Sequence, residues 1–160
     1  MAKPGILRIT ARCAVAGILV FSSLVKAEGQ TGEQVFTTCS ACHLATGAGI
    51  PGAFPPLTKL PDLYAKEGGK DYLISVVLQG LSGPIQSQGT GYNGFMQAFG
   101  SSLTDTEIAA VLAYVLTEIA SPGLQQGSQI TASDVSQIRE KIANGQWKSS
   151  HELRSALTMP

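Results

Sequence analysis

The sequence has few of the side chains that carry chemistry or fill a core. Of its 160 residues only three are cysteine and two are histidine, and aromatic residues make up 6%. The length suits one ordinary domain and excludes two large ones. Because glycine is frequent, with 18 residues, a core built only from large side chains would be thin, and another apolar component is expected to help fill it.

A hydrophobic run long enough to span a membrane is also missing. The apolar run at 13–25 has 13 residues, short of the roughly 20 that a membrane-spanning helix needs. Three basic residues and no acidic one precede it, and Val-Lys-Ala ending at Ala27 suits a signal peptidase. These features predict a signal peptide over 1–27, cleaved after Ala27, and therefore export. The alternative is an uncleaved N-terminal anchor.

Basic charge is scarce once that segment is removed. Four of the 11 basic residues leave with it and no acidic residue does, so the formal net charge changes from zero to −4. Nucleic acid is excluded as a partner, because its phosphates need a basic surface. Between 28 and 120 only three bases, Lys59, Lys66 and Lys70, stand against eight acids. We therefore expect apolar or mixed docking of partners, with weak dependence on salt.

The two cysteines left after cleavage lie in one short motif, Cys39-Ser-Ala-Cys42-His43. A disulfide between such near neighbours would close a very small loop and stabilise little. A redox-active dithiol usually follows a strand in a βαβ unit, and no such alternation surrounds the motif. Structural zinc needs four ligands, and only His151 is left to complete the set.

The fifth residue of the motif favours a fourth possibility. Cys-x-x-Cys-His is the attachment signature of c-type haem. One helical turn places the sulfurs of Cys39 and Cys42 where they can add to the two porphyrin vinyl groups, and the imidazole of His43 can bind the iron. The sequence therefore predicts one covalent haem c, which also supplies the missing apolar bulk.

Three side chains outside the motif are candidates for the sixth iron ligand. Met96 lies in a Gly-rich segment just before a strong helical pattern, which favours an ordered position. Met159 is next to the end of the chain, where order is usually poor. His151 lies in a polar segment typical of a surface histidine. Met96 is the preferred candidate, although most methionines simply fill core gaps.

The rest of the pattern predicts a small all-α fold with a C-terminal helical extension. A first helix with Val35 and Phe36 facing inwards delivers the cysteines at its end, and a Gly/Pro-rich loop follows. The next predicted helix ends near Gly80. A capping box at Thr104 and Glu107 and a helix start at Thr131 and Asp134 predict two more helices. Apolar residues recur at helical spacing in all three: Leu73, Val76 and Val77; Ile108, Val111, Leu112 and Val115; Val135, Ile138 and Ile142.

Residues from about 30 to 120 resemble class I cytochromes c, with a haem motif ending the first helix, a Met segment far downstream and a final amphipathic helix. Gly32, Phe36 and Tyr114 resemble the family's contact between first and last helices. The resemblance implies a cytochrome c domain at 28–120, followed by a linker and helical extension at 121–160.

The resemblance also implies site residues. In "FPPL", Pro55 corresponds to the proline whose carbonyl accepts a hydrogen bond from the proximal histidine, and Leu57 to a leucine packed on the haem. The family's methionine ligand corresponds to Met96. Gln97 differs, since these relatives often have proline after the methionine.

The segments "GIPGAFPPL", "YNGFM" and "LTDTEIAAVLAYV" resemble bacterial cytochrome c domains that serve respiratory oxidases, nitrite reductases and quinoprotein dehydrogenases. A periplasmic one-electron carrier, not an enzyme, is the function that the resemblance favours. The alternatives are a dedicated subunit of a dehydrogenase or terminal reductase, and a ligand-binding or peroxidatic haem protein. Association with a membrane is expected only through a partner or an uncleaved N-terminus.

Overall fold

The computed structural model describes residues 29–120 and 130–157. The predictions for the signal segment at 1–27, the linker sequence at 121–129 and Met159 lie outside these residues. The elements follow in the order α1 (Gly32–His43), α2 (Leu60–Tyr64), α3 (Gly69–Gln79), β1 (Leu81–Ser87), β2 (Thr90–Met96), α4 (Asp105–Tyr114), α5 (Ala132–Ala143) and α6 (Ser150–Ala156).

Local sequence signals account for where the main helices begin. The Thr104 and Thr131 side chains each accept a hydrogen bond from the backbone N–H three residues on, and the side chains of Glu107 and Asp134 bond back to the cap residue. The predicted capping box at Thr104 and the predicted helix start at Thr131 are therefore confirmed. Helix α4 continues through a wider π-helical turn at Val115–Ile119. Among the described helices, none combines the length and apolar character needed to cross a membrane.

Helices α1 and α4 cross in close contact at Gly32. A Cβ on this residue would overlap the Ala110 carbonyl oxygen and would lie 2.8 Å from Cβ of Tyr114. One turn further along α1, the rings of Phe36 and Tyr114 pack with their centroids 5.5 Å apart. The contact expected between these residues is present, and it fixes the direction in which α1 leaves the core.

The core is built from α1, α3, α4 and the C-terminal extension. The predicted inward faces of α1, α3 and α4 are all buried. The extension shares this core, since Ile130, Val135, Ile138 and Leu157 belong to the same apolar cluster as α3 and α4. It is therefore packed on the rest of the described structure.

Polar contacts also fasten the extension. The Trp147 indole Nε1 donates to Ser75 Oγ at 2.8 Å, and Lys70 Nζ lies 2.6 Å from Asp134 Oδ1. Trp147 therefore anchors the extension on α3. Lys70, one of the three bases between 28 and 120, is therefore paired with an acidic residue of the extension.

The prediction of an all-α fold needs a correction. Residues 81–96 form an antiparallel hairpin, in which Leu81 is opposite Met96 and Ser87 is opposite Thr90. Met96 therefore ends a strand and does not lie in a Gly-rich loop. The hairpin forms because Gln88 and Gly89 both have positive φ, as tight hairpin turns require, and because exposure alternates along β1. Over the described residues the fold is six α-helices with one two-stranded sheet.

The first prediction concerns Gly32, where α1 and α4 cross. Gly32→Ala should lower the free energy of unfolding by about 2 to 3 kcal/mol, because the new Cβ meets backbone that cannot move aside easily. Guanidinium unfolding of the haem-containing protein measures this loss. Gly91→Ala is the matched control, since its Cβ would meet only the end of the Gln86 side chain, at 3.4 Å. Equal stability of the two variants would contradict the close crossing.

Candidate functional site

The C-terminal end of α1 carries both cysteines and the histidine of the motif. Cys39 is half-buried, Cys42 is exposed, and both sulfurs are free. Burial raises the pKa of the Cys39 thiol, whereas a redox-active dithiol usually has a lowered pKa. The direction of the Cys39 shift is therefore the opposite of the one that a dithiol catalyst needs.

The loop after α1 folds back onto the helix end. Leu44 has a φ of +63°, so the chain turns sharply directly after His43. The Gly49 N–H then donates to the His43 carbonyl at 3.0 Å, and the Leu57 N–H donates to the Gly47 carbonyl at 2.7 Å. At Gly49, where φ is +65°, a Cβ would overlap the Phe54 carbonyl oxygen, so this close return needs glycine.

This return brings the Pro55 carbonyl to His43. The ring Nδ1 lies 2.9 Å from the Pro55 oxygen. A carbonyl oxygen can only accept, so Nδ1 carries the proton and Nε2 is left with a free lone pair. Burial lowers the pKa of His43, and the bond to Pro55 opposes this shift. Both the tautomer and the neutral ring suit a metal ligand whose orientation is fixed by a backbone carbonyl.

Met96 is positioned by the hairpin and by the end of α3. Gly80, with a φ of +73°, ends α3 as predicted, and a Cβ there would overlap the Met96 carbonyl oxygen. Beyond Met96 the chain is held by hydrogen bonds from Phe99 N to Val77 O at 2.9 Å and from Gly100 N to Leu78 O at 3.2 Å. These bonds fix the segment in which Gln97 replaces the usual proline.

All of these segments line one cavity of about 460 Å³. Its size is within the range of roughly 300 to 1,000 Å³ that cofactor pockets occupy. Apolar side chains from α2, α3, α4 and the hairpin make up much of its wall. The six predicted site residues all line it: Cys39, Cys42, His43, Pro55, Leu57 and Met96.

The set of ligands that a zinc site would need is not brought together. Within 29–120 and 130–157, no group of three or more His, Cys, Asp or Glu side chains is placed to hold a metal ion. His151, the fourth ligand that the zinc alternative required, instead lies with Nε2 3.1 Å from the Pro84 carbonyl oxygen. A carbonyl only accepts, so this nitrogen carries a proton and is not free to bind iron.

The cavity residues that the sequence analysis missed include Tyr72 and Arg154. Tyr72 lies in α3, next to the residues whose spacing was used, and Arg154 lies in α6, a helix that was not predicted. The signal for α6 was present, because Ser149 and Glu152 form a capping box. The signal for Arg154 was absent, since an arginine in a polar segment is normally exposed.

The cavity fits a haem attached through the motif. It is apolar and open enough for a large planar group, two free thiols lie at the end of one helix, and His43 has one nitrogen fixed and the other free. A thioether, Met96, is a further potential iron ligand on its wall.

The family model described as Cytochrome c matches residues 29–118, more than half of the chain. The chain is 44% identical over 112 residues to "Cytochrome c-552" of Thermus thermophilus, an alignment that covers 69% of this chain and 85% of that protein. It is also 44% identical over 112 residues to a "Cytochrome c-552" from a specified strain of the same species, with 69% of this chain and 75% of that protein covered.

These matches agree with the site built from the residues. The protein binds one haem c covalently through Cys39 and Cys42 and is an electron-transfer protein. The chain belongs to the cytochrome c family.

Proposed function

We propose that this protein is an exported, periplasmic one-electron carrier in which His43 and Met96 are the two axial ligands of the haem iron. The observation that carries the proposal is that His43 and Met96 line the same cavity. His43 is fixed by the Pro55 carbonyl at the end of α1, and Met96 lies at the end of β2, on a segment fastened to α3.

When bound, haem c supplies a couple that accepts and releases one electron at iron. The protein's side chains hold the haem in a fixed position. Cys39 and Cys42 fix the haem on α1, and the Pro55 carbonyl keeps the His43 ring in one orientation. A methionine thioether raises the reduction potential. Leu57 and the apolar residues of α3 and α4 exclude water from the cavity.

The nature of the sixth ligand separates a carrier from a ligand-binding or peroxidatic haem protein. In the Met96→Ala variant the iron should bind carbon monoxide, whereas the wild-type protein should not, because its sixth position is closed. The visible spectrum of the reduced protein before and after adding carbon monoxide measures this. His151→Ala is the matched control and should behave as wild type. Carbon monoxide binding by the wild-type protein would contradict the carrier and favour a sensor or an enzyme.

Export is proposed from the N-terminal pattern of basic residues, a short apolar run and a cleavage site. When the full chain is produced in a bacterium that matures c-type haem, the holoprotein should appear in the periplasmic fraction. Mass spectrometry of the intact protein should give a chain that begins at Glu28 and carries one haem. A membrane-bound product that retains residues 1–27 would show an uncleaved anchor instead.

We also propose that partners dock on an apolar surface around the mouth of the cavity. Three large apolar side chains are exposed among the described residues: Leu44 (39%), Ile50 (42%) and Phe95 (76%). Leu44 follows His43, Phe95 precedes Met96, and Ile50 is paired with the cavity residue Phe54. Because this surface is apolar and Lys70 is neutralised by Asp134, contact with a redox protein should depend little on charge.

Stopped-flow oxidation of the reduced protein by detergent-solubilised respiratory membranes of its own cell tests this docking. Phe95→Ala should lower the second-order rate several-fold, while added KCl should change the wild-type rate little. Glu140→Gln, on the exposed face of α5, is the control and should leave the rate unchanged. A steep fall of the rate with salt would contradict apolar docking.

A further inference from the structure

A buried arginine from the C-terminal extension lines the haem cavity. Arg154 lies in α6 and is only 8% exposed. Arg154 lines the cavity together with Tyr72 of α3 and every second residue of β1, from Leu81 to Ser87. Burying a charged group costs much free energy unless an opposite charge or a full set of hydrogen bonds compensates for it.

The protein atoms around Arg154 compensate for it only in part. Nη1 donates to the Leu157 carbonyl at 3.1 Å, and Nη2 donates to the Gln86 carbonyl of β1. The Tyr72 hydroxyl is a third hydrogen-bonding neighbour of the guanidinium. All three partners are neutral, and a guanidinium has five N–H donors. The two ion pairs found in 29–120 and 130–157 are Lys70 with Asp134 and Arg139 with Asp105, and neither includes Arg154.

Tyr72 does not supply the missing negative charge. Burial raises the pKa of its hydroxyl to about 12, although the positive charge of Arg154 and a hydrogen bond with the guanidinium act to lower that pKa. The phenol is therefore neutral near pH 7 and adds a second hydrogen-bond donor at the same part of the cavity wall. Tyr72 and Arg154 thus place a hydroxyl and a guanidinium on the wall of a cavity that is lined mainly by apolar side chains.

We propose that Arg154 is the counter-ion of a haem propionate, so that the C-terminal extension completes the redox centre. Haem carries two carboxylate side chains at one edge, and guanidinium binds carboxylate through two parallel N–H···O bonds. The match to the family model ends at residue 118, and α6 begins at Ser150. This contact is therefore a contribution of the extension and not of the segment that the family model covers.

The positive charge of Arg154 should raise the reduction potential of the haem iron. A propionate with no counter-charge favours the ferric iron, which carries one more positive charge than the ferrous iron. Arg154 cancels that negative charge and so favours the reduced protein. Net charge near the iron is one of the means by which a protein sets the potential of a haem.

Arg154→Gln removes the charge and keeps a side chain that can bond to the Gln86 and Leu157 carbonyls. We expect about a tenfold loss in the equilibrium constant for reduction, which for a one-electron couple is about 59 mV towards lower potential. Spectroelectrochemical titration of the holoprotein measures the shift.

The propionate bending vibration in the resonance Raman spectrum should change as well, because its frequency follows the hydrogen bonding of the carboxylate. Arg154→Lys should recover most of the potential but not the vibration, since an ammonium lacks the two-pronged geometry.

Two controls separate this role from a structural one. Lys148→Gln removes a positive charge from an exposed position of the same extension. Ser149→Ala removes the cap of α6 and loosens that helix without changing charge. Lys148→Gln should behave as wild type, and Ser149→Ala should lower the stability but keep the potential and the propionate vibration of the wild type.

An unchanged potential and vibration in Arg154→Gln, or the same shift in Ser149→Ala, would overturn the proposal. If Arg154→Gln yields no holoprotein, the lysine variant decides: an altered vibration supports the ion pair, and an unaltered one contradicts it. The inference requires the haem c and not the ligation by Met96, which the carbon monoxide experiment tests separately.

Discussion

The close crossing of α1 and α4 is the constraint on which the rest of the structure depends. It brings the backbone of Ala110 against Gly32 and so fixes the direction of α1, at whose far end the cysteines and His43 lie. The N-terminal ends of the two helices are also tied together, because Glu107 Oε1 accepts a hydrogen bond from Gln30 N at 3.1 Å. The other oxygen of Glu107 accepts from Thr104, and these bonds lower the pKa of the carboxyl. The contact at the N-terminal end of α1 therefore determines where the haem-attaching cysteines lie at its other end.

The hairpin wall of the cavity is held by a different set of contacts, and these come largely from the C-terminal extension. Arg139 binds Asp105 Oδ1 at 2.7 Å, the Leu103 carbonyl at 3.1 Å and the Gly100 carbonyl, and so fastens the segment after Met96. Arg154 fastens β1, which pairs with the strand that ends at Met96. The extension therefore contacts the Met96 hairpin and the segment that follows it. This arrangement offers a physical reason why proline is not needed after the methionine, where Gln97 stands.

The sequence was informative wherever a local pattern determines the structure. Apolar spacing predicted α3, α4 and α5, a capping box marked the start of α4, and the Cys-x-x-Cys-His motif predicted the cofactor. The hairpin was missed because Gly83 and Pro84 in β1 are poor strand formers, and its stability comes from the two-residue turn and from the packing of one face. Arg154 was missed because its burial depends on long-range contacts with Gln86 and Tyr72 that no local pattern records. Local signals thus predicted most helices and the attachment motif, while tertiary contacts determine the hairpin wall of the cavity.

The most direct test of the account is the iron K-edge X-ray absorption spectrum of the purified holoprotein in both oxidation states. His43 and Met96 as axial ligands predict five nitrogen scatterers and one sulfur scatterer in the first coordination shell, with little change in distances on reduction. Loss of the sulfur scatterer in Met96→Ala would assign it to that residue. A shell with no sulfur, or one that loses a ligand on reduction, would contradict the claim that this cavity holds a closed His/Met electron-transfer centre.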